Sequence, residues 1–102
     1  MNPDPINTAD ASLARAQIIV RGIVQGVGFR WFVKDAADNL TLTGTVKNLT
    51  NGDVEVRAEG PRDLLKQLVI ILQTGNRHSL VESCHVLWET YRGEYRSFRI
   101  IH

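Results

Sequence analysis

Leu42-Thr43-Gly44-Thr45-Val46-Lys47-Asn48-Leu49-Thr50-Asn51-Gly52-Asp53-Val54-Glu55-Val56-Arg57-Ala58-Glu59 is the stretch that decides the fold. Leu42, Gly44 and Val46 alternate with Thr43, Thr45 and Lys47. Beyond Asn51-Gly52, Val54, Val56 and Ala58 alternate with Asp53, Glu55, Arg57 and Glu59. A period of two describes a strand with one buried face, and an Asn-Gly pair tolerates the positive φ values of a reversing turn. The segment therefore reads as an antiparallel hairpin.

What flanks the hairpin sets the architecture. Upstream, Gln17-Ile18-Ile19-Val20-Arg21 begins a β-rich run that continues through Ile23 and Val24 into a glycine loop. Phe29, Phe32, Val33, Ala36, Ala37 and Leu40 then recur at helical spacing, with Lys34, Asp35 and Asp38 outward, so a helix starts at or just before Arg30. Downstream, Gly60-Pro61 opens a second helix whose buried face holds Leu64, Leu65, Leu68, Val69, Ile71 and Leu72, and Gly75-Asn76 closes it. Leu80 to Glu89 reads as a fourth strand, with Cys84, Val86 and Trp88 inward and Glu82, His85 and Glu89 outward. Arg92-Gly93-Glu94 turns the chain into a last strand, Tyr95 to Ile101, with Phe98 and Ile100 on the core side. The order is βαββαβ with a final extra strand. This is an α+β, ferredoxin-like split βαβ sandwich: an antiparallel sheet with two helices on one face.

Length and composition bound the function. A chain of 102 residues is one domain, large enough to bury a core without staples. Residues 1–15, with Pro3, Pro5, Asp4 and Asp10 but no cationic flank or apolar centre, read as a flexible tail and not a secretory signal; residues 16–102 read as the domain. The formal net charge of +1, with both signs interspersed, argues against a nucleic-acid partner or an anionic membrane surface. No apolar run approaches the roughly 20 residues that span a bilayer. The single cysteine, Cys84, excludes an internal disulfide framework and fits a reducing, cytoplasmic setting.

The chemistry concentrates in Gly22-Ile23-Val24-Gln25-Gly26-Val27-Gly28-Phe29-Arg30. Backbone N–H groups of a glycine-rich turn can converge on one point, the first turn of a helix adds unpaired N–H groups, and an arginine adds a planar fork suited to phosphate oxygens. The alternatives are missing their parts. Thr90 stands where a cysteine phosphatase loop around Cys84 needs arginine, and there is no Asp-x-Asp. The loop lacks a Gly-Lys-Ser/Thr ending, and Trp31 replaces the third glycine of a dinucleotide fingerprint. His78, His85 and His102 are not spaced as ligands on one helix face. Asn48, on the parity of Leu42, Gly44 and Val46, interrupts an apolar row at the end of its strand. A neutral amide there can orient a water without being a strong base. So weak an apparatus suits only an activated substrate such as an acyl phosphate, whose carboxylate leaving group has a conjugate acid of pKa about 4.

Val20-Arg21-Gly22-Ile23-Val24-Gln25-Gly26-Val27-Gly28-Phe29-Arg30-Trp31-Phe32 closely resembles the signature loop of the acylphosphatases, and residues 44–55 resemble their second motif; the likeness runs from about Gln17 to Ile101 and includes Phe98-Arg99-Ile100. The resemblance implies a phosphate-binding loop formed by Gln25, Gly26, Val27, Gly28, Phe29 and Arg30, with Asn48 holding the attacking water. It implies hydrolysis of a carboxylic–phosphoric anhydride to carboxylate and inorganic phosphate, without metal, cofactor or covalent intermediate. The implied partner is a small-molecule acyl phosphate, with phosphate as product and competitor, and the expected state is a monomer. The family commonly has Gly at Thr41, Trp at Thr45, a basic residue at Ile23 and Pro at Asn76. The alternatives weighed are a non-catalytic phosphate or carbamoyl-phosphate binding module, like the acylphosphatase-type domain of the large hydrogenase-maturation carbamoyltransferases, and an RNA-binding ferredoxin-like domain. The first is disfavoured because no second catalytic domain follows the last strand. The second is disfavoured because helical spacing buries Phe29 and Phe32.

Overall fold

A computed structural model describes residues 12–102; most of the expected tail lies outside the described residues. The chain runs β1 (Leu13–Ile23), α1 (Phe29–Asn39), β2 (Thr43–Asn48), β3 (Val54–Pro61), α2 (Arg62–Thr74), β4 (Leu80–Glu89) and β5 (Phe98–Ile100). The strands form one sheet in the order β4-β1-β3-β2-β5. Helix α1 packs over β2 and β5, and α2 over β1, β3 and β4. Between helices and sheet lie Ile18, Val20, Val33, Ala37, Val46, Val54, Val56, Leu65, Leu68, Leu72 and Phe98, all buried. The fold is the α+β, ferredoxin-like one. Among the described residues no helix is long and apolar enough to cross a membrane.

The sheet is mixed and not wholly antiparallel, because β5 runs parallel to β2 at the edge opposite β4. Residues 90–97 must therefore cross the end of the sheet, and Glu59 holds them there. Its buried carboxylate, 1% exposed, accepts the N–H groups of Arg92 (2.7 Å), Gly93 (3.2 Å) and Glu94 (3.1 Å) and the Arg15 guanidinium at 3.2 Å. Burial alone would push this carboxyl up. Hydrogen bonds from the Arg92 N–H, the Arg15 guanidinium and the Glu94 and Gly93 N–H groups outweigh it and hold the group below the usual glutamate range. Glu94 and Tyr95 are instead tied to Arg15, and the strand proper is Phe98–Ile100, so β5 is shorter than its apolar pattern suggests.

β1 in turn begins four residues before Gln17. Leu13, Ala14 and Arg15 pair with Pro61, Gly60 and Glu59, and Arg15, 3% exposed, also reaches Glu89 at 3.1 Å. These residues belong to the sheet and not to the tail. Their partners lie 44 and 74 residues away, beyond the reach of any local pattern. In β4 the pairing slips at Arg21/Gly22, so that Val81 opposes Gly22 and Ser83 opposes Arg21, leaving Glu82 as the extra, exposed residue of a bulge. That bulge explains why Glu82 points outward despite sharing the parity of Cys84.

Helix α1 ends in a Schellman motif: the Leu42 N–H donates to the Ala37 carbonyl (2.9 Å) and the Thr41 N–H to that of Asp38 (3.0 Å). Thr41 sits at φ +56°, a left-handed conformation that a β-branched residue adopts only under strain. Thr41→Gly should therefore raise the unfolding free energy by about 1 kcal/mol, the strain relieved exceeding the entropy that glycine loses. Urea unfolding measures it, and an unchanged midpoint would show that threonine costs nothing there.

Candidate active site

The loop between β1 and α1 crosses the end of the sheet beside the end of β2. Gly26 and Gly28 have φ of +74° and +73°, and a Cβ at either would meet nothing within 4 Å. Their glycine requirement is therefore one of backbone hand and not of room. Gly28 caps α1 without any side-chain bond, and the first turn of α1 carries no acidic residue. The N–H groups of Gly26, Val27, Gly28, Phe29 and Arg30 have no backbone acceptor among the described residues. Unpaired N–H groups at a helix start, with the positive end of its dipole uncompensated, favour an anion.

Val24, Gly26, Gly28, Phe29, Arg30, Trp31 and Asn48 line one cavity of about 70 Å³. That is far below the few hundred Å³ of drug-sized ligand pockets, and suits a small anion with a water. Phe29 and Val24 are buried and anchor the loop to the core, whereas Trp31 is 63% exposed at the rim. Asn48 arrives from the last position of β2, opposite Val54. Its Oδ1 is buried and accepts no hydrogen bond among the described residues. Buried polar atoms are nearly always paired, so an unpartnered acceptor on a residue that lines a cavity marks that residue for a role there.

Of the residues expected to form the loop, Gln25 and Val27 do not line the cavity. The Gln25 side chain turns toward the hairpin, where its Nε2 donates to the carbonyls of Leu49 and Asp53, both at 2.8 Å. One amide thus ties the loop to the turn that follows Asn48, fixing the two halves of the site relative to each other. That turn is a five-residue connection, 49–53, closed by Leu49 N–H to the Asp53 carbonyl at 2.8 Å and by Asn51 Oδ1 accepting the Asp53 N–H at 3.0 Å. Val27 packs on the core, and its carbonyl accepts from Asn76 Nδ2 at 2.9 Å.

Arg30 Nη1 lies 3.2 Å from Nδ1 of His102, an arrangement in which the neutral imidazole accepts and the guanidinium donates. Nothing local marks His102, because the parallel pairing of β5, continued by Ile101 N–H to the Val46 carbonyl at 2.9 Å, delivers it. A larger surface depression, about 480 Å³, lies elsewhere among Leu13, Arg62, Trp88 and Tyr91. Its cation is already engaged, the Arg62 guanidinium standing 4.5 Å from the Trp88 ring centre.

The acylphosphatase family model matches residues 16–100. An acylphosphatase of Caldanaerobacter subterraneus subsp. tengcongensis is 42% identical over 81 residues, covering 79% of this chain and 90% of that protein. The crystal structure of acylphosphatase from Bacillus subtilis superimposes with a TM-score of 0.85 at 40% identity, over 89% of this chain and all (100%) of that one. The structure of full-length HypF in its phosphate- and nucleotide-bound form is also similar, with a TM-score of 0.76 and 28% identity over 89% of this chain but only 12% of that chain.

Proposed function

The chain belongs to the acylphosphatase family, hydrolases acting on acyl phosphates, and from that premise we propose how its residues carry the reaction. The phosphoryl group of the substrate enters the cavity and takes hydrogen bonds from the N–H groups of Gly26, Gly28, Phe29 and Arg30 and from the Arg30 guanidinium. Asn48 Oδ1 accepts a hydrogen bond from a water and holds it in line with the bond to be broken. The water oxygen bonds to phosphorus as the phosphorus–oxygen bond to the carboxylate breaks; that electron pair leaves with the carboxylate, and the proton released by the water stays with the phosphate product. Because the leaving group is a carboxylate of conjugate-acid pKa about 4, no general acid is required. Catalysis is then positioning together with donors aimed at the charge that develops on the phosphoryl oxygens. On this reading the enzyme acts as a cytoplasmic monomer on small-molecule substrates.

The observation that carries the reading is that Asn48, whose buried Oδ1 has no partner among the described residues, lines the same cavity as Gly26, Gly28, Phe29 and Arg30. A phosphate-holding module needs the donors; it does not need an open acceptor beside them. The test is hydrolysis of benzoyl phosphate in ¹⁸O-water with excess chelator. Turnover with label in the phosphate and none in the benzoate, inhibited competitively by inorganic phosphate, is the expected result. Phosphate binding without turnover would establish a non-catalytic module instead, and turnover abolished by chelator would overturn the mechanism.

A further inference from the structure

We infer that Asn76, in the turn between α2 and β4, is a positioning residue that aims the Gly28 N–H into the phosphate cavity; the inference rests on the reading of that cavity given above. The backbone of Asn76 is fixed by its own turn. Its N–H donates to Ser79 Oγ at 2.9 Å, and its carbonyl accepts from the Ser79 hydroxyl at 3.2 Å and the Ser79 N–H at 3.3 Å. From this platform its side chain reaches across 49 residues of sequence, Nδ2 donating to the Val27 carbonyl at 2.9 Å.

The consequence follows from the planarity of the peptide unit. In a trans peptide the carbonyl of one residue and the N–H of the next point in opposite directions. Drawing the Val27 carbonyl toward Asn76 therefore turns the Gly28 N–H away from Asn76, and Gly28, unlike Val27, lines the cavity with Arg30 and Asn48. Such control is needed at this peptide in particular. Gly28 accepts either backbone hand, and nothing lies within 4 Å of where its Cβ would stand, so neither side-chain sterics nor crowding resists a peptide flip. The latch also fixes its own orientation. Asn76 Oδ1 is buried without a partner, and exchanging the two amide atoms would set oxygen against the Val27 carbonyl oxygen. A proline, which the family resemblance leads one to expect after Gly75, has no side-chain donor, so the latch is a property of this chain.

The experiment is an ¹⁵N–¹H titration with inorganic phosphate, alongside benzoyl phosphate kinetics, for the wild type, Asn76→Ala and the isosteric Asn76→Asp, which lacks the donor. Loss of one hydrogen bond that orients a ligand-binding donor should weaken phosphate binding and raise KM by about 3- to 10-fold, with kcat less affected. The phosphate-induced shift of the Gly28 amide should shrink while that of Gly26 persists. Unchanged binding and an unchanged Gly28 shift in both variants would overturn the latch, as would a uniform loss across all loop amides, which is what general loosening produces. A wild type that binds no phosphate would overturn the cavity reading and the latch with it. A wild type that binds phosphate without hydrolysing benzoyl phosphate would overturn the proposed mechanism and leave the latch to be decided by the Gly28 shift.

Discussion

Arg30→Ala will lower kcat/KM for benzoyl phosphate by on the order of 10³-fold or more, a loss of about 4 kcal/mol of transition-state stabilisation. Both parameters should suffer. Among the described residues Arg30 is the one charged residue lining the cavity, and on the proposed mechanism its guanidinium meets phosphoryl oxygens whose charge rises as the bond to the carboxylate breaks. Inorganic phosphate should accordingly lose most of its inhibitory strength. Folding should not suffer, since Arg30 is half-exposed on the first turn of α1 and its side-chain partner is the exposed His102. Arg30→Lys should recover little, because an ammonium restores the charge without the planar fork that meets two oxygens at once. Steady-state kinetics with a matched unfolding curve checks this. A loss under 10-fold in a folded variant would remove Arg30 from the chemistry.

The parts of this molecule that could be read from sequence are those set by neighbours in the chain. The alternation of Leu42 to Val46 and Val54 to Ala58 marks β2 and β3, helical spacing marks α1 and α2, and the glycine loop announces its cradle because Gly26 and Gly28 are needed for their dihedrals. What stayed hidden depends on partners far along the chain. Nothing near Arg15 foretells that Glu59, Glu89 and Glu94 will surround it, so the local pattern puts the start of β1 too late. The parallel pairing of β5 rests on a crossing held by Glu59, and an apolar alternation carries no information about strand direction. At the site the same division holds. Arg30 and Asn48 are visible as residue types out of place in their local pattern. Gln25 was legible as a loop member but not as the brace to the Leu49 and Asp53 carbonyls, and Asn76 and His102 enter only through tertiary contacts. Thr41 is an intermediate case: the family resemblance points to glycine there, and the left-handed φ supplies the reason.

Asn48→Ala separates catalysis from binding more cleanly. Its amide is not needed to hold the phosphoryl group, for which the N–H cradle and Arg30 suffice, so KM and phosphate inhibition should stay within a few-fold of wild type. The rate kcat should fall about 10²- to 10³-fold, the scale expected when a positioned water must be replaced by one that samples all orientations. Stability should move the opposite way. Asn48 Oδ1 is a buried acceptor with no hydrogen-bond partner, a group that costs folding free energy of roughly 1–3 kcal/mol, and alanine removes it along with some packing. The variant should therefore be as stable as the wild type or slightly more so while nearly inactive, the trade expected where a strained or unsatisfied group is retained for chemistry. Asn48→Asp sharpens the argument. It keeps an acceptor at the same place but sets a negative charge against the phosphoryl oxygens, so at neutral pH it should lose binding as well as turnover. Kinetics and urea unfolding of the two variants decide the matter: an Asn48→Ala protein that is destabilised yet retains its kcat would make Asn48 a structural residue and return the origin of the water's orientation to the cradle itself.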